Sequence, residues 1–512
     1  MNEMSCPPEL RTEAYQPWSR GRGVDVWAML MAAASGDLVG VKALEAEDAG
    51  LVNCEFQYFT PLHFALRENR MALVEYLLDK TIDPLYGYGD PPVKMVRDRG
   101  YTELGDLLEA WLRQRYHIVP EGEEMAAAIK GFDEERVRSL LDARPELVSA
   151  ADGRGNQPIH WAALTRQLWL IDLLLERGAD IEAKRPDGAR PINLGGGDYN
   201  YRSWYRDLPD SGLRSAEVVT GYLMARGAYC DISVAAKIGY YRRVKELLDA
   251  DAGLVNRLPD YVTYYNGLPL RNAAAAGHME VVKLLLERGA QVNEPEPRIA
   301  PFGGALHSAV GGRHYAIVKL LLDRGADANA MVESSGDVLH MAKVVGAPAE
   351  IIELIAARVT RRDPDIVAYE ADPVILEALL LADPQAAVEH YLGRLVSENM
   401  QSSLELILRY QPDILRRQTM LSAAWWDGST FASPEQARWL LERGLDPRLR
   451  NWLGITMLHR CAAKGLTDIA AVLLEFGAEI NAVEAEWAQT PKGWAVRKGQ
   501  TVMSEWLAER GG

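Results

Sequence analysis

Apolar residues recur at helical spacing along most of the chain. In VVKLLLERGA, Val281, Leu284 and Leu285 fall on one face, and Ile317, Leu320 and Leu321 take the same places in IVKLLLDRGA one unit later. That i, i+3, i+4 pattern predicts amphipathic helices with one buried stripe. A glycine follows several of these helices, at Gly178, Gly289, Gly325, Gly477 and Gly511. Each is expected in the left-handed conformation that closes a helix C-terminus. A second helix is predicted upstream of each, entered through a four-residue signal. It reads TPLH at Thr60–His63, QPIH at Gln157–His160, RPIN at Arg190–Asn193 and LPLR at Leu268–Arg271. Further copies are GALH at Gly304–His307, DVLH at Asp337–His340, TMLS at Thr419–Ser422, TMLH at Thr456–His459 and TPKG at Thr490–Gly493.

Within uninterrupted blocks these signals step by 33 to 37 residues. Period, entry signal and closing glycine together resemble the ankyrin-repeat family, most closely in LPLRNAAAAGHMEVVKLLLERGAQVN and GALHSAVGGRHYAIVKLLLDRGADANA. The resemblance implies β-turn fingers alternating with antiparallel helix pairs. No single unit can bury its apolar face, so the units stack into an α-solenoid. The expected fold is therefore all-α, with about 12–14 helix pairs and two expanded inter-helix loops. Weaker helix pairs at 26–55, 122–151 and 231–258 lack the proline turn and end alike, in Leu51-Val52-Asn53, Leu147-Val148-Ser149 and Leu254-Val255-Asn256. The domain reading is a lead-in or cap at 1–23, a repeat array at 24–360, irregular helical repeats at 361–417 and closing repeats at 418–512.

Repeated residues build the scaffold, so function is sought where the repeat is broken. The repeat that begins at Arg190 carries an insertion at 198–213, DYNYRSWYRDLPDSGL, holding Asp198, Tyr199, Tyr201, Trp204 and Tyr205. A smaller expansion surrounds Trp425, Trp426 and Asp427. Irregular fingers add Tyr261, Tyr264 and Tyr265, then Glu294, Glu296, Arg298 and Phe302, then Glu333 and Asp337, and late in the chain Glu484, Glu486 and Trp487. Aromatics beside carboxylates and an arginine suit a binding groove, although such rings also pack their own loops and finger carboxylates often cap turns.

Composition narrows the choice of partner. The chain has 56 Lys and Arg against 72 Asp and Glu, a formal charge of −16 over 512 residues. Such a balance repels phosphates at long range, so neither nucleic acid nor an anionic membrane is an expected partner. A protein partner of basic or mixed charge is expected, and a small molecule or sugar remains possible. The four cysteines, Cys6, Cys54, Cys230 and Cys461, show no metal or disulfide spacing, which suits a reducing compartment. With no signal-peptide pattern and no apolar run of membrane length, a soluble cytoplasmic protein is expected.

Motif chemistry is sparse. Seven of the nine histidines fall on repeat positions, leaving His117 and His390. No nucleophile elbow, phosphate loop, zinc-protease motif or dinucleotide fingerprint occurs, and no cofactor or metal is expected. The favoured function is a noncatalytic binding scaffold. The alternative is a ligand binder or an enzyme, with Glu294, Glu296, Glu333 and Asp337 as candidate carboxylates for hydrolysis beside aromatic platforms.

Overall fold

The computed structural model describes residues 4–87, 91–197, 215–332, 335–386, 388, 392–416 and 431–512. The protein is an all-α repeat solenoid of short antiparallel helix pairs. Among the described residues, regular strand is confined to one hairpin, Met331–Val332 paired antiparallel with Gly336–Asp337. Other fingers close through isolated antiparallel bridges, such as Thr263 with Asn266 and Glu296 with Ala300.

The chain divides into two compact units. The larger comprises Tyr15–Gly21 and Ala28–Val359; the smaller comprises Met1–Ala14, Arg22–Trp27 and Thr360–Gly512. In the larger unit, Pro269–Ala276 pairs with Met279–Glu287, and Ala305–Gly311 with Tyr315–Asp323. Val281, Leu285, Ile317 and Leu321 from their predicted faces join one apolar core that runs from Met125 to Ile355. Stacking is what completes this core, because each helix pair covers its neighbour's stripe.

Local chemistry explains where the helices start and stop. Thr60 accepts a hydrogen bond from the His63 N–H at 3.2 Å, and Asp337 accepts one from the His340 N–H at 2.7 Å. Such caps satisfy N–H groups that have no partner inside the helix. The closing glycines hold one geometry: φ is 93° at Gly289, 87° at Gly325 and 93° at Gly477. A side chain there would meet backbone strain, so glycine is required at these ends.

The three weaker pairs share a further device. After their second helices come 3-10 turns at Ala49–Asn53, Pro145–Ser149 and Ala252–Asn256, matching the three similar endings in the sequence. Asp48 and Asp251 cap two of them, accepting from the N–H groups of Gly50 and Gly253 at 2.8 and 2.9 Å.

The smaller unit has its own core, from Val367 to Leu507. Helix pairs continue through its irregular stretch, as Pro364–Tyr369 with Pro373–Ala382 and Leu392–Ser397 with Gln401–Tyr410. Within this unit the first residues pack beside the late repeats. The Ser5 N–H donates to the Trp452 carbonyl at 3.1 Å, and Trp27 meets Trp452 edge to face at 6.4 Å.

Candidate functional site

Two consecutive fingers of the larger unit are pinned by a fully buried ion pair. Arg271 stands in the first turn of the helix Pro269–Ala276, and its Nε lies 2.7 Å from Glu296 Oε1 in the next finger. The same guanidinium donates to the carbonyls of Tyr264 and Thr263, each at 2.8 Å. Glu296 also accepts from the Leu268 N–H at 3.3 Å. A buried charge pair persists only when its remaining donors and acceptors are met, as they are here. Gly267 is required by the crowding, since a Cβ there would lie 1.9 Å from Glu296 Oε2 and 2.0 Å from Arg271 Nη2.

This frame sets the finger aromatics. Tyr264 and Tyr265 meet edge to face at 5.2 Å, and Tyr265 keeps 50% of its surface exposed. Tyr261 is buried, with the Arg185 guanidinium 5.8 Å from its ring centre. In the following finger Phe302 is 44% exposed and meets Trp18 edge to face at 6.4 Å.

Fingers far apart in sequence meet around Arg298. Its backbone is left-handed, with φ of 72°. One guanidinium nitrogen lies 3.0 Å from Glu55 Oε2, and the group sits 4.0 Å from the centre of the Tyr86 ring. The Tyr86 hydroxyl is hydrogen-bonded to Glu55, and the Glu55 N–H donates to Ser19 Oγ at 2.9 Å. Beside them stand Asp83 and Asp187. Asp187 is ion-paired to the buried Arg185, which also donates to Asn156 Oδ1 at 3.0 Å. On the rim of the same fingers Lys184 Nζ lies 2.7 Å from Asp260 Oδ2.

The electrostatics follow from this crowding. Burial and the neighbouring Asp187 push the Asp83 carboxyl up to about 7, against the Leu85 N–H and the charges of Arg185 and Arg298. Burial and Glu55 hold the Tyr86 phenol well above its usual range. For Arg298, burial opposes the charge but is outweighed by Glu55 and Tyr86, so its pKa rises. Burial and the nearby Arg298 lower that of Arg20.

The sequence candidates thus have varied places. Tyr261, Tyr264, Tyr265, Glu294, Glu296, Arg298 and Phe302 line two adjacent fingers, with Glu294 half-buried and Glu296 committed to Arg271. Asp337 is buried as the cap of the helix Val338–Val344. Trp487 belongs to the smaller unit, where the Arg497 guanidinium lies 3.3 Å from its ring centre. Asp198, Tyr199, Tyr201, Trp204, Tyr205, Glu333, Trp425, Trp426 and Asp427 lie outside the described residues. Sequence reasoning missed Glu55, Asp83, Tyr86, Arg185 and Asp187. Glu55 ends one of the weaker pairs and Tyr86 opens a stretch that departs from the pattern, but none of the five falls in the insertions or irregular fingers that drew notice.

Histidines in the repeat signal join one finger to the next. His160 Nε2 lies 2.9 Å from the Ala183 carbonyl, and His459 Nε2 lies 3.2 Å from that of Gln489. Burial lowers their pKa values, to about 3 for His160 and about 4 for His459.

Two concavities lie elsewhere. One of about 40 Å³ is lined by Lys237, Glu217, Thr220, Asn193 and Asn266. There the Lys237 amine donates to the Tyr265 carbonyl at 3.1 Å, and burial with the nearby Arg271 lowers its pKa to about 8. The other, a shallow hollow of about 560 Å³ in the smaller unit, is lined by Asn481, Gln489, Lys492 and Arg497 among others. Among the described residues no cluster of three or more His, Cys, Asp or Glu is placed to hold a metal ion.

Helix pairs joined by β-turn fingers define the class, a helical repeat solenoid. Family models for ankyrin repeats match residues 232–332, as three copies, and single repeats at 57–85, 154–183 and 453–485. The chain carries ankyrin repeats at these positions. It is similar to a putative ankyrin repeat protein, FPV240, of Fowlpox virus, at 28% identity over 24% of this chain and 30% of that one. It is also similar to ankyrin repeat and SAM domain-containing protein 6 of Rattus norvegicus, at 28% over 31% of this chain and 17% of that protein. Palmitoyltransferase ZDHHC13 of Mus musculus is 24% identical over 26% of this chain and 22% of its own length. The chain therefore spans less than a third of the length of each of these relatives.

Proposed function

We propose that the chain is a binding scaffold that recognises a partner protein through the fingers of its larger unit. The observation that carries this reading is the pair of aromatic rings, Tyr265 and Phe302, presented half-exposed on consecutive fingers. The buried Arg271–Glu296 pair holds those fingers in place. Rigid, partly exposed aromatics are the residue type on which interface energy concentrates. The ankyrin repeats matched in the chain favour interaction over chemistry. The charge of −16 favours a basic or mixed-charge partner, whose association would slow as salt rises. The free thiols of all four cysteines favour a reducing, cytoplasmic setting. No helix among the described residues is long and apolar enough to cross a membrane.

The test is affinity capture with the wild type and with a Tyr265→Ala/Phe302→Ala variant, followed by titration of each captured protein in purified form. At least about a tenfold loss of affinity in the variant is expected. Equal affinity would remove these fingers from the interface. The small-molecule or sugar alternative is checked by thermal shift over a metabolite set. A saturable ligand that protects Tyr265→Ala/Phe302→Ala as well as the wild type would point away from the fingers.

A further inference from the structure

Arg298 is held as a foreign side chain would be. Its guanidinium lies against one face of Tyr86, 4.0 Å from the ring centre, and pairs with Glu55 Oε2 at 3.0 Å. Tyr86 is itself fixed by its hydrogen bond to Glu55. An aromatic face with a carboxylate beside it suits a planar guanidinium, which stacks and hydrogen-bonds at once. Arginine suits this arrangement better than lysine, whose ammonium is a compact, strongly hydrated charge.

Three features distinguish this contact from ordinary core packing. Arg298 reaches the cage from a finger much later in the sequence than Glu55 or Tyr86, so the guest is delivered by a separate loop. That loop holds Arg298 in the left-handed backbone region that residues other than glycine seldom take. The guest side of the contact also reaches solvent: the Arg298 side chain is 25% exposed over a buried Glu55.

We propose that Glu55 and Tyr86, backed by Asp83, form an arginine receptor that Arg298 occupies in cis, and that a partner's arginine enters by displacing it. The proposal rests on the partner-binding reading above and deepens it, by naming what the partner presents. The surrounding charge supports it. Asp83 shares its surroundings with Asp187, and the repulsion between their carboxylates adds to the burial that holds Asp83 protonated up to about neutral pH. Above neutral pH Asp83 adds its negative charge to that of Glu55, which favours a cation in the site. The tethered Arg298 competes at a high effective concentration, so the resting site is closed to free arginine and opens to a partner that gains contacts elsewhere.

The experiment removes the tethered guest and supplies a free one. Arg298→Gln is melted with increasing L-argininamide, with L-lysinamide and sodium chloride at matched ionic strength as controls, alongside the wild type. Argininamide is expected to raise the midpoint of Arg298→Gln saturably by about 2 °C or more, and to leave the wild type within 1 °C. Adding Glu55→Gln to Arg298→Gln is expected to abolish the rise. Equal protection by the controls, or protection that survives Glu55→Gln, would overturn the proposal. If Arg298→Gln does not fold, the same titration on Arg298→Lys decides, because lysine keeps the charge and loses the fork. Recovery by argininamide with no partner captured would leave the receptor standing and remove the partner reading. A captured partner without any recovery would do the reverse.

Discussion

Buried finger carboxylates in the two units use their charge differently. In the smaller unit Glu484 is buried, yet it works inside its own turn. It accepts from the N–H groups of Trp487 and Gln489 at 3.0 and 3.1 Å, and from Trp494 Nε1 at 3.2 Å. In the larger unit two charged groups leave their own finger: Arg271 pairs with Glu296 in the next, and Arg298 with Glu55 in a distant one. One supersecondary unit thus supports two schemes. A charge satisfied locally stabilises one repeat, whereas a charge satisfied across fingers couples repeats that otherwise meet only their neighbours.

That contrast can be broken by substitution. The largest effect is expected from Arg271→Ala, which leaves Glu296 buried and unpaired. The larger unit should lose about 3–5 kcal/mol, read by hydrogen exchange on peptides from both fingers, while peptides from the smaller unit keep their protection. Uniform loss in both units would mean that the pair is not confined to one of them.

Acid should separate the units next. His160 and His307 in the larger unit are lowered by burial to about 3, and His459 in the smaller to about 4. A histidine whose folded pKa lies below its unfolded value of about 6.5 stabilises fully above that value, and this is lost as pH falls toward the folded one. Each should cost on the order of 2 kcal/mol at pH 5, so in an Asp83→Asn background, which removes the opposing gain from that raised carboxyl, the larger unit is expected to weaken about twice as much as the smaller. Denaturant unfolding followed by exchange at pH 7.5 and pH 5 measures this. Equal losses would show that burial of the one extra imidazole is not what sets the difference in acid sensitivity.

Smaller changes sharpen the picture. Glu484→Gln keeps the shape and weakens charge-assisted bonds, so a loss of about 1–2 kcal/mol confined to the smaller unit is expected. Smallest of all is Asp260→Ala. Its partner Lys184 is more than half exposed, as is Asp260, and exposed pairs are worth less than about 1 kcal/mol. A loss above that would show that this rim contact is part of the cross-finger coupling.

What was legible in the sequence was everything written once per repeat. The apolar stripes, the four-residue helix-entry signals, the left-handed Gly289 and Gly325, and the three similar endings that became 3-10 turns all depend on residues close along the chain, whereas Asp337, read as a candidate catalytic carboxylate, is a helix cap. Their physics is local, so one copy explains the rest. The fingers Tyr261–Tyr265 and Glu294–Phe302 also drew notice, because they break the period. Their internal roles were not legible. Glu296 had the look of a free carboxylate and is the buried counter-charge of Arg271.

Only the tertiary structure decided which fingers meet. Nothing near Glu55, Tyr86 or Asp83 in the sequence names Arg298 as their neighbour, and nothing near Ser5 names Trp452. The rise and rotation of each unit onto the next are set by packing, and their sum over many repeats brings distant fingers together. Periodicity specifies the step, but a charged contact across fingers depends on the accumulated path, which no local pattern encodes.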